Sequence, residues 1–215
     1  MESRKNVAWA DDRDLCPSGL NLFAKLARAE YCAGNMDGCM QNVKEILSQP
    51  SIKIGDKLDA YSIQSEVLSI QEKHLEEFIT TLDVLQQLDV KFPPKRLVTF
   101  AILAELQRTK NAIRRMSNND LISLPDMQDE TRCKAMKLLD RALNASFMLN
   151  DPKVPLFVFR QVCWTAKYGV GPTSGSIFCS YAALLVAMGD FKQAAECCKV
   201  GTALAERPMC SSNKS

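Results

Sequence analysis

The feature that most constrains this chain is where its helix-breaking residues stand. Nine glycines and nine prolines are concentrated at the borders of apolar stripes that recur every three to four residues. That recurrence is the signature of amphipathic helices, and the borders act as stops. "LNLFAKLARAEYCAG" places Leu22, Leu26, Ala29 and Ala33 near one face and stops at Gly34-Asn35. "MDGCMQNVKEILSQP" carries Met36, Met40, Val43 and Leu47 as far as Pro50. "DKLDAYSIQSEVLSIQEK" gathers Leu58, Tyr61, Val67 and Leu68, and "HLEEFITTLDVLQQLDV" gathers Leu75, Phe78, Leu82 and Leu85 before Pro93-Pro94.

The second half reads the same way. "KRLVTFAILAELQRTKNAIRRM" predicts a long helix with Leu97, Ala101 and Ala104 inward and an Arg/Lys face outward. "SNNDLISLPDMQDE" is the longest irregular connection, and Asp129 is placed to cap a helix from about Thr131 to Leu149. "LFVFRQVCWTAKY", "SGSIFCSYAALLVAMG" and "DFKQAAECCKVGTALAER" follow, the last ended by Pro208. The composition of "LFVFRQVCW" would suit a strand, but Leu156, Phe159, Cys163 and Ala166 form a helical stripe, and no other strand exists to pair with it. The expectation is an all-α chain of about eight or nine helices over residues 19–207, with flexible tails over 1–18 and 208–215.

Bulk properties remove several function classes. The 27 basic and 25 acidic residues leave a net charge of +2, with no electrostatic footprint for nucleic acid or an anionic membrane. No segment approaches the roughly 18 apolar residues of a membrane span. The opening "MESRKNVAWADDRD" has no apolar core of a secretory signal, so a cytoplasmic setting is expected. The nine cysteines, Cys16, Cys32, Cys39, Cys133, Cys163, Cys179, Cys197, Cys198 and Cys210, are odd in number and form no CxxC pair. They read as small buried hydrophobes in a reducing compartment. Cys197 and Cys198 would point in different directions on a helix and make poor co-ligands.

Candidate chemistry is sparse. "YGVGPTSGS" carries Gly169, Gly171 and Gly175, but no lysine follows the last glycine, and Lys167 lies on the wrong side for a phosphate loop. Ser174 stands where a dinucleotide fingerprint needs its third glycine. An anion held at a helix N-terminus by Ser174 and Ser176 is the minor alternative. The preferred reading is a joint: Gly169 ends one helix, Gly171-Pro172 turns the chain, and Thr173 or Ser174 caps the next. His74 is the only histidine, Glu76 and Glu77 beside it read as a solvated helix start, and Asp11, Asp12 and Asp14 lack the rest of a calcium loop. Arg114 and Arg115 have no matching aromatics for single-stranded nucleic acid. No catalytic, cofactor-binding or metal-binding residue is therefore expected.

Two stretches repeat a spacing. "LARAEYCAGNMDGCMQNV" and "YAALLVAMGDFKQAAECC" share it through Ala27, Gly34, Met36, Cys39 and through Ala182, Gly189, Phe191, Ala194. Between them, "YSIQSEVLSIQEKHLEEF" fits more loosely, with Lys73 at the turn, then Leu75 and Phe78. This resembles the tetratricopeptide repeat, which implies a right-handed superhelix of antiparallel helical hairpins with a concave peptide-binding face. An irregular helical bundle is the alternative.

Further phrases occur in order: "LDVLQQLDVKFPP", "NNDLISLPDMQDE", "AMKLLDRALNASFMLNDP", "YGVGPTSGSIFCSYA" and "MGDFKQA". From about Leu22 to Arg207 the chain resembles the tetratricopeptide-like region that follows the AAA-type ATPase module in multidomain serine/threonine kinase–ATPase–GAF–histidine kinase signalling proteins. The resemblance implies a non-catalytic interaction or regulatory module, a fragment or stand-alone relative of such a signal-transduction protein. Its partner would be another domain of a signalling ATPase or kinase, or a peptide in the concave groove, with no nucleic acid, membrane or cofactor. The alternatives are a cryptic enzyme with a cysteine-based site, or a remnant that folds poorly without its neighbouring domains.

Overall fold

A computed structural model describes residues 16–207 and the side chains of 19–207. The tails expected over 1–18 and 208–215 lie outside that range, except that Cys16–Ser18 open the first helix. Asp11, Asp12, Asp14 and Pro208 lie outside it too. Ten α-helices follow one another: α1 (Cys16–Cys32), α2 (Met36–Leu47), α3 (Leu58–Ile70), α4 (His74–Gln87), α5 (Val98–Ile113), α6 (Asn118–Ile122), α7 (Glu130–Met148), α8 (Val154–Tyr168), α9 (Ser174–Ala187) and α10 (Phe191–Glu206). Short 3-10 turns at Ile54–Lys57 and Lys95–Leu97 lead into α3 and α5. Among the described residues the only β pairing is an isolated parallel bridge between Asp126 and Val170. The fold is all-helical, and none of its described helices is long and apolar enough to cross a membrane.

Ten helices stand against the eight or nine expected. The additional one is α6, inside the segment read as irregular. Ser117 and Asp120 bond reciprocally to each other's backbone N–H in a capping box, which starts a helix that apolar spacing could not reveal. Asp129 caps α7 as expected, its carboxylate accepting from Arg132 N. "LFVFRQVCW" is helical. The described residues separate into two compact units, the first ending at Leu88 and the second starting at Asp89, within the span read as one domain.

In the first unit α1 packs on α2 and α3, and α3 packs on α2 and α4. Ala27, Cys39, Val43, Ile46, Ala60, Ile63 and Val67 form its buried cluster. The stripe expected to face inward on α1 faces out: Leu22 is 45% and Leu26 38% exposed. The packed side carries Leu20, Phe23, Ala24, Ala27 and Tyr31 instead. α1 is apolar on two adjacent faces, and the face holding the rings is the one buried. Buried Lys57 closes α2 by donating to Leu47 O (2.9 Å) and Gln49 O (2.6 Å), carbonyls that the end of a helix leaves unpaired.

Four helix ends share one turn geometry. Gly34, Glu72, Asn150 and Gly189 all adopt positive φ, between 51° and 80°. At each, the N–H of that residue bonds three residues back and the next N–H bonds five back, as in Asn35 N→Glu30 O and Lys73 N→Leu68 O. This is the Schellman arrangement, which satisfies the terminal carbonyls. The turn after α3 is therefore at Glu72, one residue earlier than the Lys73 read from the sequence. The shift changes which residues correspond. Seven before and five after the turn residue stand Ala27 and Cys39 in one hairpin, Ala182 and Ala194 in another, and Ser65 and Glu77 in the third. All six are buried. Ser65 Oγ donates to Glu77 Oε1 at 2.7 Å, so a polar pair occupies the place of a small apolar one.

In the second unit α8 packs on α5, α7 and α9, and α10 packs on α9 and α6. Leu156, Phe157, Val158 and Phe159 are consecutive and all buried. A helix enclosed on every side loses the polar stripe that marks a surface helix, which is why its composition resembles a strand. The expected inward face of α5 through Leu97, Ala101 and Ala104 is turned. Val98, Glu105, Thr109 and Ile113 are buried, while Leu97, Phe100 and Leu103 are 46%, 73% and 61% exposed. α9 and α10 approach closely where both carry glycine: a Cβ on Gly201 would lie 2.9 Å from Gly175 O and 3.0 Å from Cys179 N.

Candidate functional site

The loop between α8 and α9 is the strongest candidate for holding a phosphate, and the N–H groups of Gly169, Val170, Gly171 and Ser174 in it are spent internally. Gly169 N bonds Thr165 O at 3.0 Å and Val170 N bonds Pro125 O at 2.8 Å. Gly171 N donates to Ser174 Oγ at 2.9 Å, and Ser174 N reaches Gly171 O at 3.2 Å. Ser174, fully buried, also bonds Thr165 Oγ1 at 2.7 Å, while Thr173 Oγ1 donates to Gln161 Oε1 at 2.7 Å. Thr173 is the N-cap of α9 but makes no side-chain capping bond. Both hydroxyls instead tie the loop back to α8, a departure from the capping role read in the sequence. Ser176 Oγ bonds Thr173 O. An anion nest needs several N–H groups aimed at open space; Val170 and Gly171 aim theirs at protein.

The same loop clasps the α6–α7 connection. Met127 N donates to Val170 O at 2.9 Å, completing the bridge. Gly169 has φ 101°, and a Cβ there would sit 2.3 Å from Pro125 O, so glycine is required for both conformation and room. Arg207 holds the connection from the other side, donating to Leu124 O at 2.6 Å and Ile122 O at 3.3 Å and pairing with Asp126 at 2.9 Å. Arg132 lies 3.5 Å over the Tyr168 ring and 5.5 Å from that of Trp164. Lys167 also sits against Tyr168, 5.0 Å from the ring centre.

His74, Glu77 and Ser65 come together, but in the wrong order for nucleophilic catalysis. A serine nucleophile needs the imidazole between itself and the carboxylate. Here the carboxylate is in the middle: Ser65 bonds Glu77 Oε1, and His74 Nδ1 stands 3.7 Å from Glu77 Oε2, beyond hydrogen-bond reach. Those last two atoms are buried and make no hydrogen bond. No group of three or more His, Cys, Asp or Glu side chains among the described residues could hold a metal ion. Glu76 and Glu77 lie in the first turn of α4 as read, but Glu77 is buried against Ser65 rather than solvated, and Arg114 and Arg115 are exposed at the end of α5.

The cysteines divide by environment. Cys39 and Cys197 are buried, Cys133 and Cys163 half-buried, and Cys32, Cys179 and Cys198 exposed, all as free thiols. The expectation of buried hydrophobes thus holds for only part of the set. Burial is the first cause lifting the thiols of Cys39, Cys133, Cys163 and Cys179, and it pushes Cys197 up to about 11. Cys163 sits 3.3 Å from Thr109 Oγ1, near a Glu105 carboxylate held by Arg108 (2.6 Å) and Arg160 (3.2 Å). An activated cysteine needs the opposite displacement, toward the thiolate.

Two arrangements escaped the sequence. One is the exposed apolar edge of α5, hidden because its buried face carries Glu105 and Thr109 beside Val98 and Ile113, so that apolar spacing alone points elsewhere. The other is the meeting of Cys179 with Cys198, which lie on different helices and acquire a relation only through the glycine contact between α9 and α10. No protein-family model, curated protein or solved structure matches the chain.

Proposed function

We propose that the chain is a non-catalytic helical-repeat module that binds protein, a regulatory piece or stand-alone relative of a signal-transducing ATPase–histidine kinase protein in a cytoplasmic setting. The observation that carries this reading is the recurrence of one hairpin unit. The same turn and the same buried pair appear at Ala27/Cys39, Ser65/Glu77 and Ala182/Ala194. Units of this kind bury their apolar faces by stacking in a tetratricopeptide-like superhelix, and their remaining faces serve recognition. Leu97 at the start of α5, Phe100 and Leu103 on α5, and Leu75 and Ile79 on α4 are large apolar side chains left to solvent. The cysteine-enzyme alternative would need a thiolate-favouring neighbourhood, and the thiols with a resolved displacement move the other way.

The test is titration of the purified chain with a recombinant ATPase module of that architecture, read by calorimetry. Saturable binding is expected, weakened at least tenfold by Phe100→Glu with Leu103→Glu while the helical circular dichroism is kept. Absence of binding to the ATPase, GAF and kinase modules alike would overturn the assignment of partner. A cysteine that outpaces a free thiol at neutral pH would revive the enzyme.

A further inference from the structure

Cys179 on α9 and Cys198 on α10 are both exposed free thiols. The two helices form an antiparallel hairpin, turned at Gly189. They approach so closely at Gly201 that a Cβ there would lie 2.6 Å from Cys179 Sγ and 3.0 Å from Cys179 N. Cys198 is three residues before Gly201, one turn along the same face of α10, where side chains are about 5–6 Å apart. The Cys179 sulfur therefore stands beside the row that carries Cys198. A disulfide needs Cα atoms about 4.4–6.8 Å apart, and closely packed helices, with axes about 8–10 Å apart and Cα atoms about 2.3 Å from each axis, bring facing Cα atoms into that range. Cys197, the other candidate on α10, is buried.

We propose that Cys179 and Cys198 are a reversible redox pair, which a peroxide oxidises to a disulfide stapling α9 to α10. The balance is simple. The Cys198 thiolate attacks one peroxide oxygen; an S–O bond forms, the O–O bond breaks, and the leaving hydroxide takes up a proton as water. The Cys179 sulfur then attacks the resulting sulfenic sulfur; the S–S bond forms, the S–O bond breaks, and a second water leaves with the Cys179 proton. Two thiols lose two electrons and one peroxide is reduced to two waters. A dithiol reductant reverses the reaction by exchange. Burial, and then the neighbouring Cys198, holds the Cys179 thiol above its ordinary value, which makes Cys179 the poorer first attacker on the peroxide. The pair is independent of the proposed binding function.

Trypsin separates the players. Cleavage at Lys167, Lys192 and Lys199 places Cys179 in peptide 168–192 and both Cys197 and Cys198 in peptide 193–199. The reduced chain is treated with hydrogen peroxide, alkylated, digested and weighed. The expected product is these two peptides joined, about 2 Da lighter than their sum, and parted by dithiothreitol. Cys198→Ser should abolish the link and Cys197→Ser should retain it. Independent alkylation of both thiols after peroxide, survival of the link in Cys198→Ser, or linkage only between two molecules would each overturn the proposal.

Discussion

Ser65 and Glu77 show how one residue pair can carry a repeat in disguise. Two other hairpins put Ala27 with Cys39 and Ala182 with Ala194 at the same places, and this one substitutes a hydroxyl bonded to a carboxylate. Removing the hydroxyl alone strands a buried carboxylate oxygen. Ser65→Ala should therefore cost about 1–3 kcal/mol in urea unfolding. Ser65→Ala combined with Glu77→Ala should be less destabilised than the single variant, because it restores the small apolar pair. A second residue-scale expectation concerns pH. Half-buried Asp140 has its carboxyl lifted above the ordinary 3.8, chiefly by burial, against the opposing pull of Arg141. The folded chain keeps a proton that the unfolded chain has released, so stability falls as pH rises from 3.8 through the folded value and stays lower above it. Asp140→Asn should melt higher than the wild type at pH 7, and the difference should vanish below about pH 3.8. A constant difference from pH 3 to pH 7 would assign the effect to something other than ionisation.

At the scale of elements, α8 and α5 mark what a sequence can and cannot disclose. Helix existence was legible almost throughout, because glycines and prolines mark the ends and Asp129 announces a cap. Which face packs was less so. α1 and α5 each carry apolar residues on adjacent faces, and the choice depends on neighbours far along the chain. Register failed at Glu72 because positive φ is a glycine habit and here a glutamate adopts it. The candidate loop was legible as a joint from Gly169 and Pro172, yet Ser174 and Thr173 bond to α8, a partner no local pattern names. The contrast between faces is measurable. Phe157→Ala on α8 should cost about 3–5 kcal/mol, the range for emptying a buried aromatic site. Phe100→Ala on α5 should stay within about 0.5 kcal/mol, since its ring is largely in solvent.

For the whole molecule, thiol accessibility gives a simple inventory. Among the described cysteines, Cys32, Cys179 and Cys198 should label in the native chain, whereas Cys39 and Cys197 should label only with unfolding. Mass spectrometry of the chain after native alkylation checks this, and prompt modification of Cys39 would contradict the packing of the first unit. The clasp around the α6–α7 connection has a consequence in time. The carbonyls of Ile122 and Leu124 receive the guanidinium of a residue 85 and 83 positions later. A ribosome adding about 5–20 residues per second leaves them waiting for roughly 4–17 s. During synthesis that connection is thus a late-setting joint, fastened only when Arg207 has emerged.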